Sequence, residues 1–170
     1  MSSVISGKVW KFGDNIDTDL IIPGRYLTIR DPIQMASHTF EPIRPEFAKE
    51  VAKGDVIVSG SNFGSGSSRE EAPFVLKTIG IAAIVAPSFA RIFYRNAINL
   101  GISLLELKSA PEYFDEGDIV EINSEEGTII NLTQNTTYQG TKLPPFLMDI
   151  INAGGAITAV KERIKREKGH

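Results

Sequence analysis

The stretch from Asp55 to Leu107 constrains the fold more than any other part of the chain. Asp55-Val56-Ile57-Val58 is a short apolar run of the kind that forms a strand buried on both faces, and it ends at Ser59-Gly60. A glycine- and serine-rich loop follows, Ser61-Asn62-Phe63-Gly64-Ser65-Gly66-Ser67-Ser68-Arg69-Glu70-Glu71. Ala72, Val75, Leu76 and Ile79 then stand at i, i+3, i+4 and i+7, one face of a helix, with Gly80 placed to stop it. Ser68 and Glu71 have capping-box spacing, and Pro73 is tolerable because it falls in the first turn. Gly80 to Val85 reads as a second buried strand, so the spacing predicts a βαβ unit with a right-handed parallel crossover. Ser88 is placed to cap a second helix with Phe89, Ile92, Phe93 and Ala97 on its inner face and Gly101 as its stop, and Ile102 to Leu107 reads as a third strand.

The flanks are less regular. Val4 to Phe12 is rich in β-formers and predicts a strand leading into the polar turn Gly13-Asp14-Asn15. Ile16 to Asp31 holds neither period and reads as a structured loop. Residues 23 to 40, with Pro23, Gly24 and Pro32, are expected to be disordered in the isolated chain. Pro45 to Lys53 reads as a short helix carrying Phe47 and Val51. Asp118 to Ile122 and Thr128 to Leu132 alternate apolar with polar residues, as an antiparallel pair would. Pro144 and Pro145 open a helix bearing Phe146, Leu147, Ile150 and Ile151, stopped at Gly154-Gly155. The last dozen residues read as a basic helix with Ile157, Val160 and Ile164 inward. With no repeat and no linker, the 170 residues are expected to form one domain, 1–170.

Composition excludes several function classes. Apolar residues at 42% and charged residues at 23% place the chain among globular proteins. Eighteen basic against 21 acidic residues leave a net charge of −3, which offers no field for a phosphate backbone, so no nucleic-acid partner is expected. The absence of cysteine removes disulfides, Cys-ligated zinc and iron–sulfur ligation from this chain. Two histidines, His38 and His170, leave little for a metal site. The N-terminus lacks a signal-peptide pattern, and no run approaches the ~20 apolar residues of a membrane span. A cytoplasmic protein without a membrane partner is expected.

The loop from Gly64 to Arg69 carries the strongest chemical signal. Its glycines let backbone amides approach a ligand, it feeds a helix N-terminus, and Arg69 adds a guanidinium suited to a carboxylate or phosphate. It lacks the Gly-Lys-Ser/Thr ending of a P-loop, the G-x-G-x-x-G order and the G-x-S-x-G elbow. A Ser-capped helix after a tight turn remains an equal reading. A serine acting as a base here needs amide donors and an arginine to stabilise its alkoxide. A hydrolase triad would have only His38 to draw on. Asp14 to Asp19 lacks the glycine and glutamate of a calcium loop and reads as a turn rich in Asx caps. Arg91 and Arg95, four apart, repel one another and are expected to pair with acidic neighbours.

Four segments in order carry a resemblance: Asp14-Asn15-Ile16-Asp17-Thr18-Asp19-Leu20-Ile21-Ile22-Pro23, Gly24-Arg25-Tyr26-Leu27, Asn62 through Glu70, and Ser88 through Ala97. Together they resemble the small subunits of 3-isopropylmalate dehydratase and homoaconitase, relatives of the swivelling C-terminal domain of aconitase. The resemblance covers nearly the whole chain and implies an α/β fold, a three-layer β/β/α swivelling domain. It implies a hydro-lyase active only with a large subunit that carries a [4Fe–4S] cluster, none of it bound by this chain. Ser67 matches the family's catalytic base, Asp19 an active-site aspartate and Arg69 a carboxylate-binding residue, with Gly66 and Ser68 in the same substrate-binding loop. The implied substrate is a small hydroxy di- or tricarboxylic acid. It is dehydrated and then rehydrated on the neighbouring carbon, the iron acting on the hydroxyl and Ser67 on the carbon-bound proton.

Arg25, Tyr26, Leu27, Thr28, Ile29 and Arg30 correspond to the loop that lines the pocket for the variable substituent. Thr28 and Ile29 favour an apolar isopropyl group, hence isopropylmalate and leucine biosynthesis, because an unpaired carboxylate there would be costly. Arg30 keeps a homocitrate-type or broad-specificity enzyme open. A stand-alone anion-binding regulatory domain is the alternative of another class, since fold does not fix function.

Overall fold

The structure is a computed structural model that describes residues 4–169. His170 and the first three residues of the expected 1–170 span lie outside the described residues. Strands β1 (Val4–Lys11), β2 (Val56–Val58), β3 (Ala83–Ala86), β4 (Ser103–Glu106), β5 (Ile119–Asn123), β6 (Thr128–Asn131) and β7 (Thr136–Gln139) form one mixed sheet in the order β4-β3-β2-β1-β5-β6-β7. β1 to β4 pair in parallel, whereas β5 joins the free edge of β1 antiparallel and continues through β6 to β7.

Period-two alternation splits the core between the two faces of the sheet. Trp10, Ile57, Ile84 and Leu104 point to one face, while Val9, Val56, Val58, Val85 and Leu105 point to the other. The first face is covered by α4 (Glu71–Ile79), α5 (Arg91–Asn99) and α7 (Pro145–Asn152), which contribute Leu76, Phe93 and Met148. The second face packs against the antiparallel strands themselves through Val120, Ile122 and Ile129, and against α6 (Ala110–Tyr113). The antiparallel half thus curls back over the parallel half. Ser124 Oγ, just past β5, donates to Ser103 Oγ of β4 at 2.9 Å, and Glu106 N donates to Thr141 Oγ1 at 2.9 Å. This is the expected β/β/α layering. Buried Asp55 pins the register of β1 on β2, accepting from Trp10 Nε1 and Ala52 N at 2.9 Å and from Lys8 N at 3.2 Å.

Several expectations are corrected. Short helical turns α1 (Thr18–Ile21), Gly24–Tyr26 and α2 (Pro32–Ala36) occupy the stretch read as loop. Asp31 caps α2, accepting from Ile33 N at 2.9 Å. The third helix, α3, is only Phe47–Glu50. No capping box forms at Ser68 and Glu71, because α4 begins at Glu71 with Glu70 as its cap. Ser88 does not cap α5; its hydroxyl accepts from Asn62 N at 2.8 Å and so ties two loops together. β7 has no counterpart in the sequence reading. The last helix, α8 (Ala156–Lys168), does form, but Ile157, Val160 and Ile164 face outward.

Candidate active site

The site is built beyond the carboxyl ends of the parallel strands, where open α/β sheets place their ligands. The segment after β1 runs beside the loop after β2. Gly64 N donates to the Ile16 carbonyl at 2.7 Å and Thr18 N to the Ser65 carbonyl at 2.9 Å. On the other side Ala90 N, just before α5, donates to the Phe63 carbonyl at 2.9 Å. The glycine-serine loop is therefore clamped between two neighbours rather than hanging free. Gly64 makes the clamp possible: its φ is +85°, and a Cβ there would lie 2.2 Å from Cγ of buried Phe93. Gly66, at φ +94°, then turns the chain outward and leaves Ser67 and Ser68 exposed.

Thr18 supports Ser67 from below. It is buried, its hydroxyl donates to the Ser67 carbonyl at 3.1 Å, and it lies 3.3 Å from Ser67 Oγ. Arg69 folds back under the loop, hydrogen-bonded to the Asp19 carboxylate and donating to the Ile22 carbonyl at 3.1 Å. Asp19 is held in place because Asp17 caps α1, accepting from Leu20 N at 2.9 Å. A cavity of about 190 Å³ opens over these groups, lined by Thr18, Ser67, Ser68, Arg69, Arg91 and Ile92 among others.

Arg91 is the functional candidate that the sequence reading assigned elsewhere. Neither Arg91 nor Arg95 forms an ion pair among the described residues, so the expected acidic neighbours do not meet them. Arg91 instead opens α5 at the rim of the cavity, with Ile92, 52% exposed, beside it rather than in the core. The signal for this was present: a guanidinium at a helix N-terminus with no nearby carboxylate to neutralise it.

Residues 25 to 30 behave differently from the serine loop. The Tyr26 hydroxyl donates to Glu41, Arg25 Nη2 lies 3.4 Å from Glu41 Oε1, and His38 Nδ1 lies 2.5 Å from Glu41 Oε2. Tyr26 also stacks on His38 with ring centroids 3.7 Å apart. The hydrogen bond from Tyr26, then that from His38, holds the Glu41 carboxyl below its ordinary range. Leu27 and Ile29 are partly buried and pack against the core. Thr28 and Arg30 are exposed. None of the six lines the Ser67 cavity; just before them, a Cβ on Gly24 would lie 3.6 Å from Arg69 Nη2. Among the described residues no group of three or more His, Cys, Asp or Glu side chains could hold a metal ion.

The comparisons agree with this layout. A family profile described as the aconitase C-terminal domain matches residues 46–110, the segment from α3 to α6 that contains the serine loop. The chain is 54% identical over 162 residues to the 3-isopropylmalate dehydratase small subunit of Hydrogenobaculum, covering 95% of this chain and 98% of that one. The chain belongs to the 3-isopropylmalate dehydratase small-subunit family. Another member, the isopropylmalate/citramalate isomerase small subunit of Methanocaldococcus jannaschii, is 51% identical over 96% of this chain and 98% of its own length. The crystal structure of 3-isopropylmalate dehydratase from the same organism superimposes with a TM-score of 0.90 at 43% identity, covering 98% of this chain and 99% of that one. The three-layer fold expected of the family is thus the fold observed.

Proposed function

We propose that this chain, as one domain over residues 1–170, is the small subunit of a hydro-lyase that interconverts 2- and 3-isopropylmalate in leucine biosynthesis. The observation that carries the reading is the convergence of Ser67, Thr18 and Arg69 from two loops on one open cavity, with Asp19 hydrogen-bonded to Arg69, in a family whose members bear that enzyme's name. A cytoplasmic setting fits such an enzyme. Among the described residues no helix is long and apolar enough to cross a membrane.

Ser67 is the catalytic base, taking the proton from carbon beside a carboxylate. Either hydroxyl of the Thr18–Ser67 pair can donate, so Thr18 can turn its proton onto Ser67 Oγ when that oxygen carries charge. Arg69 and Arg91 flank the cavity as two cations, one paired with Asp19 and one unpaired, a match for a substrate with two carboxylates. Gly66 and Ser68 shape the binding loop. Asp19 orients Arg69 and completes the catalytic set.

A [4Fe–4S] cluster does not fit this chain, which has no cysteine to ligate it. The cluster and its Lewis-acid chemistry belong to the large-subunit partner that closes over the Ser67 loop. Thr28, Ile29 and Arg30 are the loop residues that meet the variable substituent; Thr28 and Arg30 are exposed and Ile29 half-buried, whereas Arg25 and Tyr26 contact Glu41.

Anaerobic reconstitution with the cognate cluster-bearing large subunit tests the assignment, using 3-isopropylmalate, citramalate and homocitrate in one panel. Turnover of isopropylmalate above homocitrate is expected. Preference for homocitrate would mean that Arg30 reads an additional carboxylate. No turnover of any of the three, with an intact cluster, would favour the regulatory domain.

A further inference from the structure

Among the described residues, α8 is the only α-helix that buries no side chain. Its sequence is nevertheless amphipathic. Ile157, Val160 and Ile164 share one face at spacings of three and four, and are 74%, 55% and 45% exposed. The root of the helix is fixed: a Cβ on Gly155 would lie 2.9 Å from the Asn99 carbonyl oxygen, so the turn before α8 presses directly on the last turn of α5. At that root Ile157 joins Phe74 and Leu100 in a groove of about 470 Å³ whose other wall is Glu70 and Glu71. Glu70 and Glu71 also border the recess over Ser67, Ser68 and Arg69, and Asn96 lines both the groove and the catalytic cavity. The groove at the root of α8, where the apolar stripe begins, thus adjoins the active site.

We propose that the apolar stripe of α8 and the groove at its root are a docking surface for the large subunit. The inference rests on the reading that this chain works with such a subunit. Continuity is the first argument for this occupant. Whatever completes the site must cover Ser67 to Arg69, and a chain that closes over that loop also meets Glu70, Glu71 and the root of α8.

Charge is the second argument. α8 carries five basic residues against two acidic, a net +3 within a chain whose total is −3. A second copy docked through this face about a two-fold axis would set the helix against itself and bring like charges together. A partner that sets acidic side chains against Lys165, Arg166 and Lys168 and apolar ones against Ile157 and the groove meets no such penalty. An anionic lipid surface would also accept a basic amphipathic helix, but it would lie flat across the groove and the catalytic opening beside it.

Association of the full-length chain with the cognate large subunit, measured anaerobically by analytical ultracentrifugation or interferometry, tests the proposal. The triple variant I157E/V160E/I164E is expected to keep wild-type circular dichroism and Tm, because these side chains are exposed. Its Kd for the large subunit is expected to weaken at least tenfold, while kcat at saturating large subunit stays within twofold. A second variant, K165E/R166E/K168E, is expected to bind more weakly and with a shallower salt dependence. Wild-type affinity in both variants overturns the proposal. So does loss of self-association, or of binding to phosphatidylglycerol vesicles, in the triple variant with affinity for the large subunit unchanged. Failure of the wild-type chain to bind the large subunit at all would contradict the functional reading beneath it, a separate result.

Discussion

The guanidinium of Arg69 is hydrogen-bonded to the carboxylate of Asp19, fifty residues earlier in the chain, and this pair ties the serine loop to the segment after β1. Arg69 is largely covered and Asp19 largely open, with side chains 20% and 68% exposed. Arg69, proposed to meet the substrate, is thus held in place by Asp19, and that carboxylate stays in contact with water.

Replacing Asp19 with asparagine separates orientation from charge. D19N is expected to lower kcat at least tenfold, because the hydrogen bond that anchors Arg69 is no longer charge-assisted. Binding of an unreactive dicarboxylate inhibitor is expected to be unweakened, because the neutralising charge on Arg69 is gone. Inhibition constants and kcat measured together on the reconstituted enzyme check this. Weaker inhibitor binding with unchanged kcat would contradict it.

Thr18 is expected to act through Ser67 rather than on substrate. T18V keeps the shape of the buried side chain but removes the hydroxyl 3.3 Å from Ser67 Oγ. A fall in kcat of about 10- to 100-fold is expected, below the ~10²–10³ of a full oxyanion donor, with KM little changed. T18S, which restores the hydroxyl, is expected to recover most of the loss.

Arg91 carries no ion pair among the described residues, so its loss is expected to appear as binding. R91Q is expected to raise KM by about 10- to 100-fold, the order of a charge-assisted hydrogen bond, with a smaller change in kcat. Steady-state kinetics on 3-isopropylmalate read the split.

Gly64 carries a stability prediction. G64A places a Cβ at a φ of +85° and 2.2 Å from Phe93 Cγ. Left-handed strain and overpacking together are expected to cost about 2–5 kcal/mol, read as a lower urea midpoint at unchanged m.

Glu41 sets a pH dependence around residues 25 to 30. Its carboxyl is lowered from an ordinary value of 4.5, first by the hydrogen bond from Tyr26 and then by that from His38. A depressed carboxylate contributes stability that is present above the unfolded value and lost as pH falls through the folded one. Thermal stability is therefore expected to drop more steeply below about pH 4.5 in the wild type than in E41Q. Parallel curves would contradict it.

The layers were legible because they repeat. Buried strands β2, β3 and β4 and the helix faces of α4 and α5 announce themselves by period, and the alternation of β5 and β6 does the same. β7 is not legible because Thr136-Thr137-Tyr138-Gln139 is a short polar edge strand whose one large apolar contact, Tyr138 on Tyr113, joins residues distant in sequence. Period also says which residues share a helix face without saying what covers it, which is why Ile157, Val160 and Ile164 were placed inward. The site was legible where it is one continuous loop, Gly66 to Arg69. It was not legible where segments distant in sequence meet: Thr18 under Ser67, Arg91 across the cavity, and Glu41 holding Arg25 and Tyr26.

The most direct test of Ser67 as the base in a two-chain hydro-lyase is turnover of 3-isopropylmalate by the reconstituted enzyme with S67A in place of the wild-type chain. Loss of about 10²–10⁴ in kcat, with affinity for the large subunit unchanged, is the expected result. Near-normal turnover in S67A would contradict the assignment.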